Sequence, residues 1–288
     1  MNTTPLQQES ELIDFWNRIL APKFIRFRHI LVEGTSKHSD QVLPTLGVKE
    51  GDSVVDIGCG FGDTAIKLAR MVGPTGRVLG IDCCQAFLEH GRQDAALAGI
   101  TNLAFLEADA QTQPFEPIHD AVFSRFGTQF FENPVAGLRN MRAALRPGGT
   151  MTMIVWRALE ESPCMNLPKQ VVAAYLPALE QSAETCGPGP FSMADESAVR
   201  QQLHLAGYEA IAFEGIDALV NLGQTVDEAI AFHLAIGPAG ELFREAGEIT
   251  EERRDDILSA LRRELAPFQT DEGVLMPSAS WKITATNP

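Results

Sequence analysis

Four acidic residues and a cluster of glycines carry the first chemical signal. Gly58-Cys59-Gly60-Phe61-Gly62 follows the β-rich run Ser53–Ile57 and opens onto Thr64–Met71, whose apolar residues recur at helical spacing. Glycine lets the backbone come close to a ligand, so such a junction is a nucleotide-site hypothesis. The charges narrow the ligand. A dinucleotide fingerprint, GxGxxG, needs a sixth-place glycine where Asp63 stands. A carboxylate there opposes a pyrophosphate at the helix N-terminus. Asp56, two residues before Gly58, adds a second negative group, so the loop suits a cationic or zwitterionic ligand better than a diphosphate. No GK[ST] follows, which removes the Walker reading. Asp82 ends the next strand, twenty residues after Gly62, where an acid can accept both ribose hydroxyls. Asp109 ends the third strand and could accept from an adenine amino group. Together these positions describe an adenosine pocket with a positively charged, non-phosphate arm, which is S-adenosyl-L-methionine.

These residues need a frame that gathers strand ends. From about Lys49 to Trp156 short β-rich runs alternate with helical stretches, the mark of βα units and a parallel sheet. Strands are expected at 53–57, 77–81, 103–106, 118–124 and 150–156. A helix over 85–98 is closed by Gly99, and Asn133-Pro134 caps another that stops before Arg146-Pro-Gly-Gly149. Residues 1–46 read as a helical, aromatic segment over the cofactor mouth, and 47–157 as the cofactor-binding core. Residues 158–194, punctuated by Pro and Gly, read as a cap or lid. Residues 195–288 complete the core, with a helix at 195–206 ended by Gly207, a sixth strand within 208–220 and a last strand over 281–286. They include a helical insertion at about 225–266 whose acidic run, Glu241 to Asp256, is expected to face solvent.

The stretches VVDIGCGFGDTAIKLA, VLGID, FLEADAQTQPF, DAVFSRFGTQFF and ALRPGGTMTMIVW resemble the successive motifs of class I S-adenosylmethionine-dependent methyltransferases. The nearest group is the bacterial small-molecule enzymes similar to ubiquinone/menaquinone-biosynthesis methyltransferases. The resemblance covers about residues 50–157 and is looser at FWN (15–17), GPF (189–191), IGP (236–238) and the closing SWKITATNP. It implies an α/β, Rossmann-like, seven-stranded and mostly parallel sheet whose last strand is antiparallel, with helices on both faces. It also implies that Asp56, Gly58, Gly60 and Gly62, with Cys59 among them, line the methionine and ribose side. Asp82 would hold the ribose hydroxyls, Cys83 would pack beside the adenine, and Asp109 with Ala110 would address its amino group. Ser124, Arg125 and Phe126 would edge the sulfonium. One departure is visible: relatives place a hydroxyl-bearing residue soon after the Asp82 position, where this chain has Cys83-Cys84.

Composition bounds the partners. The 288 residues are 45% hydrophobic and 21% charged, and 23 Lys plus Arg against 38 Asp plus Glu give a net charge of −15. That balance argues against nucleic acid, whose binding relies on Lys and Arg releasing counterions, and against an anionic membrane surface. Lys23 to Arg28 is the one basic run. The N-terminal residues lack the basic-then-apolar order of a secretory signal, and no apolar run reaches the roughly 18 residues of a membrane span. Five cysteines (59, 83, 84, 164, 186) without CxxC spacing point to reduced thiols, a cytoplasmic protein and no metal site. None of these features bears on oligomeric state.

Methyl transfer from a sulfonium is an in-line displacement with a neutral leaving group. Alignment and exclusion of water can supply most of the acceleration, and a base is needed only for a hydroxyl or protonated amine acceptor. His29, beside Phe24 and Phe27, is the first candidate base, followed by His38, His233 and Tyr175. Trp16 and Phe24 would pack or gate. Leu167, Tyr175, Leu176, Leu179 and Phe191 in the cap suggest an apolar pocket for a small or medium organic acceptor. Two other readings stand beside this one. The scaffold could serve a different one-carbon chemistry or a cofactor-binding module without methyl transfer. Cys164 and Cys186 could hold arsenite in an arsenite methyltransferase.

Overall fold

A computed structural model describes residues 11–176, 188–248 and 252–288. The glycine loop follows β1 (Ser53–Ile57), in which all five residues are buried, as expected of a parallel strand covered on both faces. β2 (Arg77–Asp82) and β3 (Leu103–Glu107) lie on one side of it, and β4 (His119–Arg125) and β5 (Leu145–Trp156) on the other. These five strands are parallel. Two long strands complete the sheet, β6 (Glu209–Asn221) and β8 (Gly273–Thr286), in the order β3-β2-β1-β4-β5-β8-β6. β8 runs antiparallel to both β5 and β6. A two-residue strand, β7 (Gln269–Thr270), pairs with the start of β8. The expected seven-stranded α/β sheet is therefore present, with this short hairpin added.

The last strand is longer than the sequence suggests. Pro277 argues against a central strand because it cannot donate to a ladder. The structure accommodates it by geometry: β5 pairs with β8 only from Ser280 onward, while Pro277 pairs with Leu219 of β6. Residues 273–279 thus run beyond the parallel sheet beside β6, with no β5 partner facing the proline.

Helices follow the local signals. α1 (Glu11–Phe15), a π-helical turn at Trp16–Leu20, α2 (Ala21–Arg26) and α3 (Arg28–Val42) form the N-terminal part. α4 (Asp63–Val72) and α5 (Gln85–Leu97) follow β1 and β2. α6 (Pro134–Ala143) is capped by Asn133, whose side chain accepts from the Ala136 N–H at 3.1 Å. α7 (Pro163–Ala173) follows β5. α8 (Glu196–Ala206) starts with the Asp195 side chain accepting from Ala198 and ends at Gly207, whose φ of 91° suits a left-handed cap. α9 (Val226–Ala235), α10 (Pro238–Glu245) and a last helix, Arg254–Leu265, lie between β6 and β7.

Apolar residues gather in three main clusters. Leu138 and Met141 of α6 with Val199 and Leu203 of α8 cover one sheet face at Val55, Val122, Met151 and Met153. Leu68, Ala69 and Val72 of α4 cover the other at Val54, Val78 and Phe123. The third is built away from the parallel strands: α7, α9, α10 and the last helix pack with Phe27, Ile30, Val220 and Met276. Burying a side chain of this size stabilises by about 1.5–3 kcal/mol, so each cluster is a substantial support. The acidic run faces solvent as expected: Glu241, Glu245, Glu248, Glu252, Asp255 and Asp256 are exposed, and Glu251 lies outside the described residues.

Candidate functional site

Strand order reverses at β1, with β2 to one side and β4 to the other. Open α/β sheets bind ligands at that crevice, outside the carboxyl ends of the strands. A cavity of about 1160 Å³ opens there, lined by Gly58, Cys59, Gly60, Asp82, Cys83, Asp109, Ala110, Arg125 and Phe126 among others.

The loop's shape follows from its glycines. Gly58 has a φ of 63°, and a Cβ on it would stand 2.9 Å from the Gly127 Cα, so only glycine lets the loop pass the end of β4. At Gly60, with a φ of 54°, a Cβ would meet nothing within 4 Å and would project into open space. The loop is tied to β2 by two bonds: the Cys59 N–H donates to the Ile81 carbonyl at 2.9 Å, and the Gly60 N–H donates to Asp82 Oδ2 at 2.8 Å. Asp82 Oδ1 accepts from the Cys84 N–H at 2.9 Å. Burial pushes the Asp82 carboxyl up to about 6, and the backbone hydrogen bonds from Cys84 and Gly60 oppose that rise.

Asp56 and Asp63 are less open to a ligand than their spacing suggests. Asp56 is fully buried behind the loop and accepts from Thr64 Oγ1 at 2.6 Å. Its Oδ1 has no hydrogen-bond partner among the described residues, and burial pushes the carboxyl up to about 7. Asp63 is clamped by Arg125, which donates from both terminal nitrogens at 2.7 Å and also reaches Ser39 Oγ at 3.2 Å. Burial would raise Asp63, but the Arg125 charge and its hydrogen bonds win and hold the carboxyl below its usual range. The Asp63 charge that spoke against a pyrophosphate is thus spent on Arg125.

Three expected positions do not line the cavity. Asp56 is one. Gly62 is a packing position, since a Cβ there would stand 2.7 Å from the Phe105 ring. Ser124 Oγ donates to the Ile57 carbonyl at 2.8 Å and fastens β4 to β1 rather than edging a ligand. Asp109 lines the cavity while its side chain caps the following turn, accepting from the Gln111 N–H at 2.9 Å.

Phe126 takes a positive φ of 59°. That conformation is costly for an aromatic residue and persists only where surroundings enforce it. Here its ring stacks on Trp156 at 3.9 Å, and the buried His38 meets both rings edge-on. His38 itself is held between Ser280 and Ser278, both at 2.8 Å, and desolvation pushes it down to about 4.

His29 is corrected by its position. It lies on the exposed side of α3, with its side chain 60% exposed and its Nε2 2.8 Å from Glu228 Oε1. It is not among the residues that line the cavity. The same helix shows why: Phe27, Ile30, Gly34 and His38 are the buried positions around it, and residue 29 falls off that face. Tyr175 and Leu167 pack into the helical cluster rather than the cavity lining, Phe191 does line the cavity, and Leu179 and Cys186 lie outside the described residues.

The aromatic residues expected to pack or gate do line the cavity. Trp16 and Phe24 meet at 5.2 Å, and Trp16 meets Phe130 at 5.0 Å, making an aromatic wall over the loop. Trp156, at the carboxyl end of β5, could have been found by extending the strand-end rule one strand further. From there the cavity continues between Cys164 and Met165 of α7, Val220 at the end of β6, Leu222, and Phe232 and His233 of α9. Burial pushes the Cys164 thiol up to about 12, and among the described residues no group of three or more His, Cys, Asp or Glu could hold a metal ion.

Comparison with known proteins places this geometry. Residues 54–149 match the family described as a methyltransferase domain. Demethylmenaquinone methyltransferase of Staphylococcus aureus (strain JH9) is 34% identical over 159 residues, 54% of this chain and 63% of the relative's own length. Phosphoethanolamine N-methyltransferase 2 of Haemonchus contortus superposes with a TM-score of 0.59 at 17% identity, over 97% of this chain and 60% of that one. The YcgJ protein of Bacillus subtilis superposes with a TM-score of 0.56 at 14% identity, over 86% and 96%. At such identities the two structures share the fold. The sheet and the loop agree with that match: residues 54–149 resemble a methyltransferase domain, and the fold is the one these solved structures share.

Proposed function

We propose that this protein transfers the methyl group of S-adenosylmethionine to a small or medium organic acceptor. The observation that carries the reading is one continuous cavity of about 1160 Å³ joining the strand ends to the helical cluster. That exceeds the roughly 300–1,000 Å³ typical of a single-ligand pocket, so cofactor and acceptor fit end to end.

The residues present suit the cofactor. Each Asp82 oxygen accepts one backbone N–H and keeps a further lone pair for a ribose hydroxyl. Cys83, Asp109 and Ala110 border the same end of the cavity, where an adenine would lie, and Gly60 opens a space that a Cβ would fill. When bound, S-adenosylmethionine supplies a methyl group activated by a positive sulfur that leaves as a neutral thioether. The chain's own work is to bind, orient and dry the site. Phe126 and Trp156 form a rigid pair at the junction of the two ends, and Trp16, Phe24 and Phe130 shield the loop from water. Such positioning and desolvation can supply most of the acceleration for this displacement.

The acceptor end supports an apolar substrate, in keeping with a relative named for demethylmenaquinone. Cys164, protonated by burial, gives an arsenite site no support. A cytoplasmic setting fits the four described cysteines, all free, and the net charge of −15 speaks against nucleic-acid and anionic-membrane partners. Among the described residues no helix is long and apolar enough to cross a membrane.

Calorimetric titration with S-adenosylmethionine, S-adenosylhomocysteine and NAD tests the reading. Micromolar binding of the two sulfur ligands and none of NAD is expected. Absence of binding by both sulfur ligands would overturn it and leave a scaffold put to another use.

A further inference from the structure

We propose that the acceptor carries a carboxylate on an apolar body, and that Lys169 and Gln129 are the donors that recognise its oxygens. The proposal rests on the methyl-transfer reading for the meaning of the site as an acceptor site, and on its own observations for the ligand. Lys169 lines the cavity from α7, one helical turn after Met165, which lines it too. It is half-buried and makes no ion pair or hydrogen bond with the described residues. Lysine is a compact charge with three donors, and withdrawing it from water without a counter-charge is costly. A ligand oxyanion meets that need.

The other charges of the lining are paired or lie in solvent. Arg125 is clamped on Asp63, and Arg244 is exposed, with one nitrogen 3.4 Å from the Ala235 carbonyl. Burial pushes His233 down to about 4, so it carries no charge at neutral pH. Beyond the strand ends, Glu132, Glu160, Asp195, Glu241 and Glu245 line the cavity, and all five are exposed. Salt screens such exposed charges. Among the described residues, Lys169 is therefore the one cation of the lining that is both part-buried and unpaired. The amide of Asn221 is occupied: Nδ2 donates to the Glu272 carbonyl at 2.8 Å, and Oδ1 accepts from the Gly223 N–H at 3.0 Å. Cys164, Val220, Leu222 and Phe232 line the helical end, are all buried, and suit an apolar body.

Gln129 supplies a second donor, held in a known direction. It is 1% exposed, lies in the turn after β4 and lines the cavity. Its Oε1 accepts from the Trp156 N–H at 3.3 Å, a bond only the amide oxygen can make, so the amide nitrogen is turned away from it. Its main-chain carbonyl accepts from the Gly189 N–H at 3.0 Å and from Ser192 Oγ at 2.5 Å, which anchors the residue. The amide nitrogen donates to none of the described residues and is not enclosed by them, so it opens onto the cavity. β4 and β5 lie on the opposite side of β1 from β2, so this donor stands away from Asp82, on the acceptor's side. A fixed donor without a partner discriminates strongly between ligands that accept a hydrogen bond and those that do not.

The test uses two probes of nearly equal shape and opposite character, 2-naphthoate and the neutral 2-naphthamide. Their binding is measured by calorimetry on the full-length protein saturated with S-adenosylhomocysteine and, separately, without it. The wild type is expected to bind 2-naphthoate at least about fivefold more tightly. Lys169→Met should bring the two probes within about twofold, and Lys169→Arg, which keeps the charge, should keep the preference. Lys169→Gln gives the same reading if Lys169→Met does not fold. Gln129→Glu keeps the oxygen that the Trp156 N–H needs but replaces the donor by a carboxylate, so it should weaken 2-naphthoate at least about fivefold and 2-naphthamide less. A smaller wild-type preference, failure of 2-naphthoate to bind, a preference that survives loss of the Lys169 charge, or unweakened 2-naphthoate binding by Gln129→Glu overturns the proposal. Failure of the wild type to bind S-adenosylhomocysteine instead sinks the methyl-transfer reading, and the probe preference without cofactor is measured independently of it.

Discussion

The two ends of the cavity are built on opposite principles. At the strand ends the polar groups are numerous and mostly engaged with one another: Asp82 with the loop, Asp63 with Arg125, Asp109 with its own turn. Each bond fixes a loop against a neighbouring strand, so this end presents backbone and carboxylates in a set geometry. At the helical end the lining is largely apolar, with Asn221, Lys169 and His233 as polar residues, and the buried Nε2 of His233 has no partner among the described residues. The first arrangement fixes polar groups in place, and the second leaves a largely apolar wall.

The comparison can be broken most severely at Arg125. Arg125→Ala strands Asp63 with 15% side-chain exposure, and removing one partner of a buried pair costs about 3–5 kcal/mol. Urea unfolding should show that loss, and adding Asp63→Asn should recover much of it. A loss below about 1 kcal/mol would show that the strand-end half does not depend on its internal pairing.

His38 joins the two halves, since it ties α3 to β8 beneath Phe126. Its replacement by Ala leaves Ser280 unmatched and should cost about 1–3 kcal/mol in the same assay. The pH dependence has a definite sign. Folded His38 titrates near 4 against an ordinary 6.5, so the unfolded chain binds the extra proton first as pH falls. Its contribution is present above 6.5 and is lost between about 6.5 and 4, and the variant should show a shallower decline over that window. An unchanged slope would refute the role assigned to the buried imidazole.

Asp82→Ala sharpens the comparison at the level of ligand. It should weaken S-adenosylhomocysteine binding at least tenfold, about 1.4 kcal/mol, by calorimetry. Met165→Ala in the helical half should leave that affinity within about twofold. Equal effects from the two substitutions would erase the division between the ends.

The smallest effect is expected at His29. Its contact with Glu228 is an exposed pair, and such pairs contribute about 0–1 kcal/mol. His29→Ala should leave cofactor affinity and turnover unchanged, and a drop of tenfold in turnover would return His29 to the site.

Legibility followed locality. The glycine loop and the acids at 82 and 109 could be read because each belongs to a short strand–turn–helix unit, and parallel strands bring their carboxyl ends together whatever the rest of the chain does. His29 was misplaced for a reason the sequence also held: 27, 30, 34 and 38 trace the buried face of α3, and aromatic neighbours were weighed above that period. The extent of β8 was hidden by Pro277, tolerated because β5 ends before reaching it.

The sequence by itself determined the fold of the core and the place of the crevice, because those depend on alternating elements and on residues within a few positions of a turn. Tertiary structure alone decided which carboxylates face the cavity and which are spent on partners. Asp63 meets Arg125 from 62 residues away, and His38 meets Ser280 from 242. It also decided that His233, one of six histidines, lines the cavity. Burial and pairing are properties of chain segments brought together, and no local pattern records which distant segment will arrive.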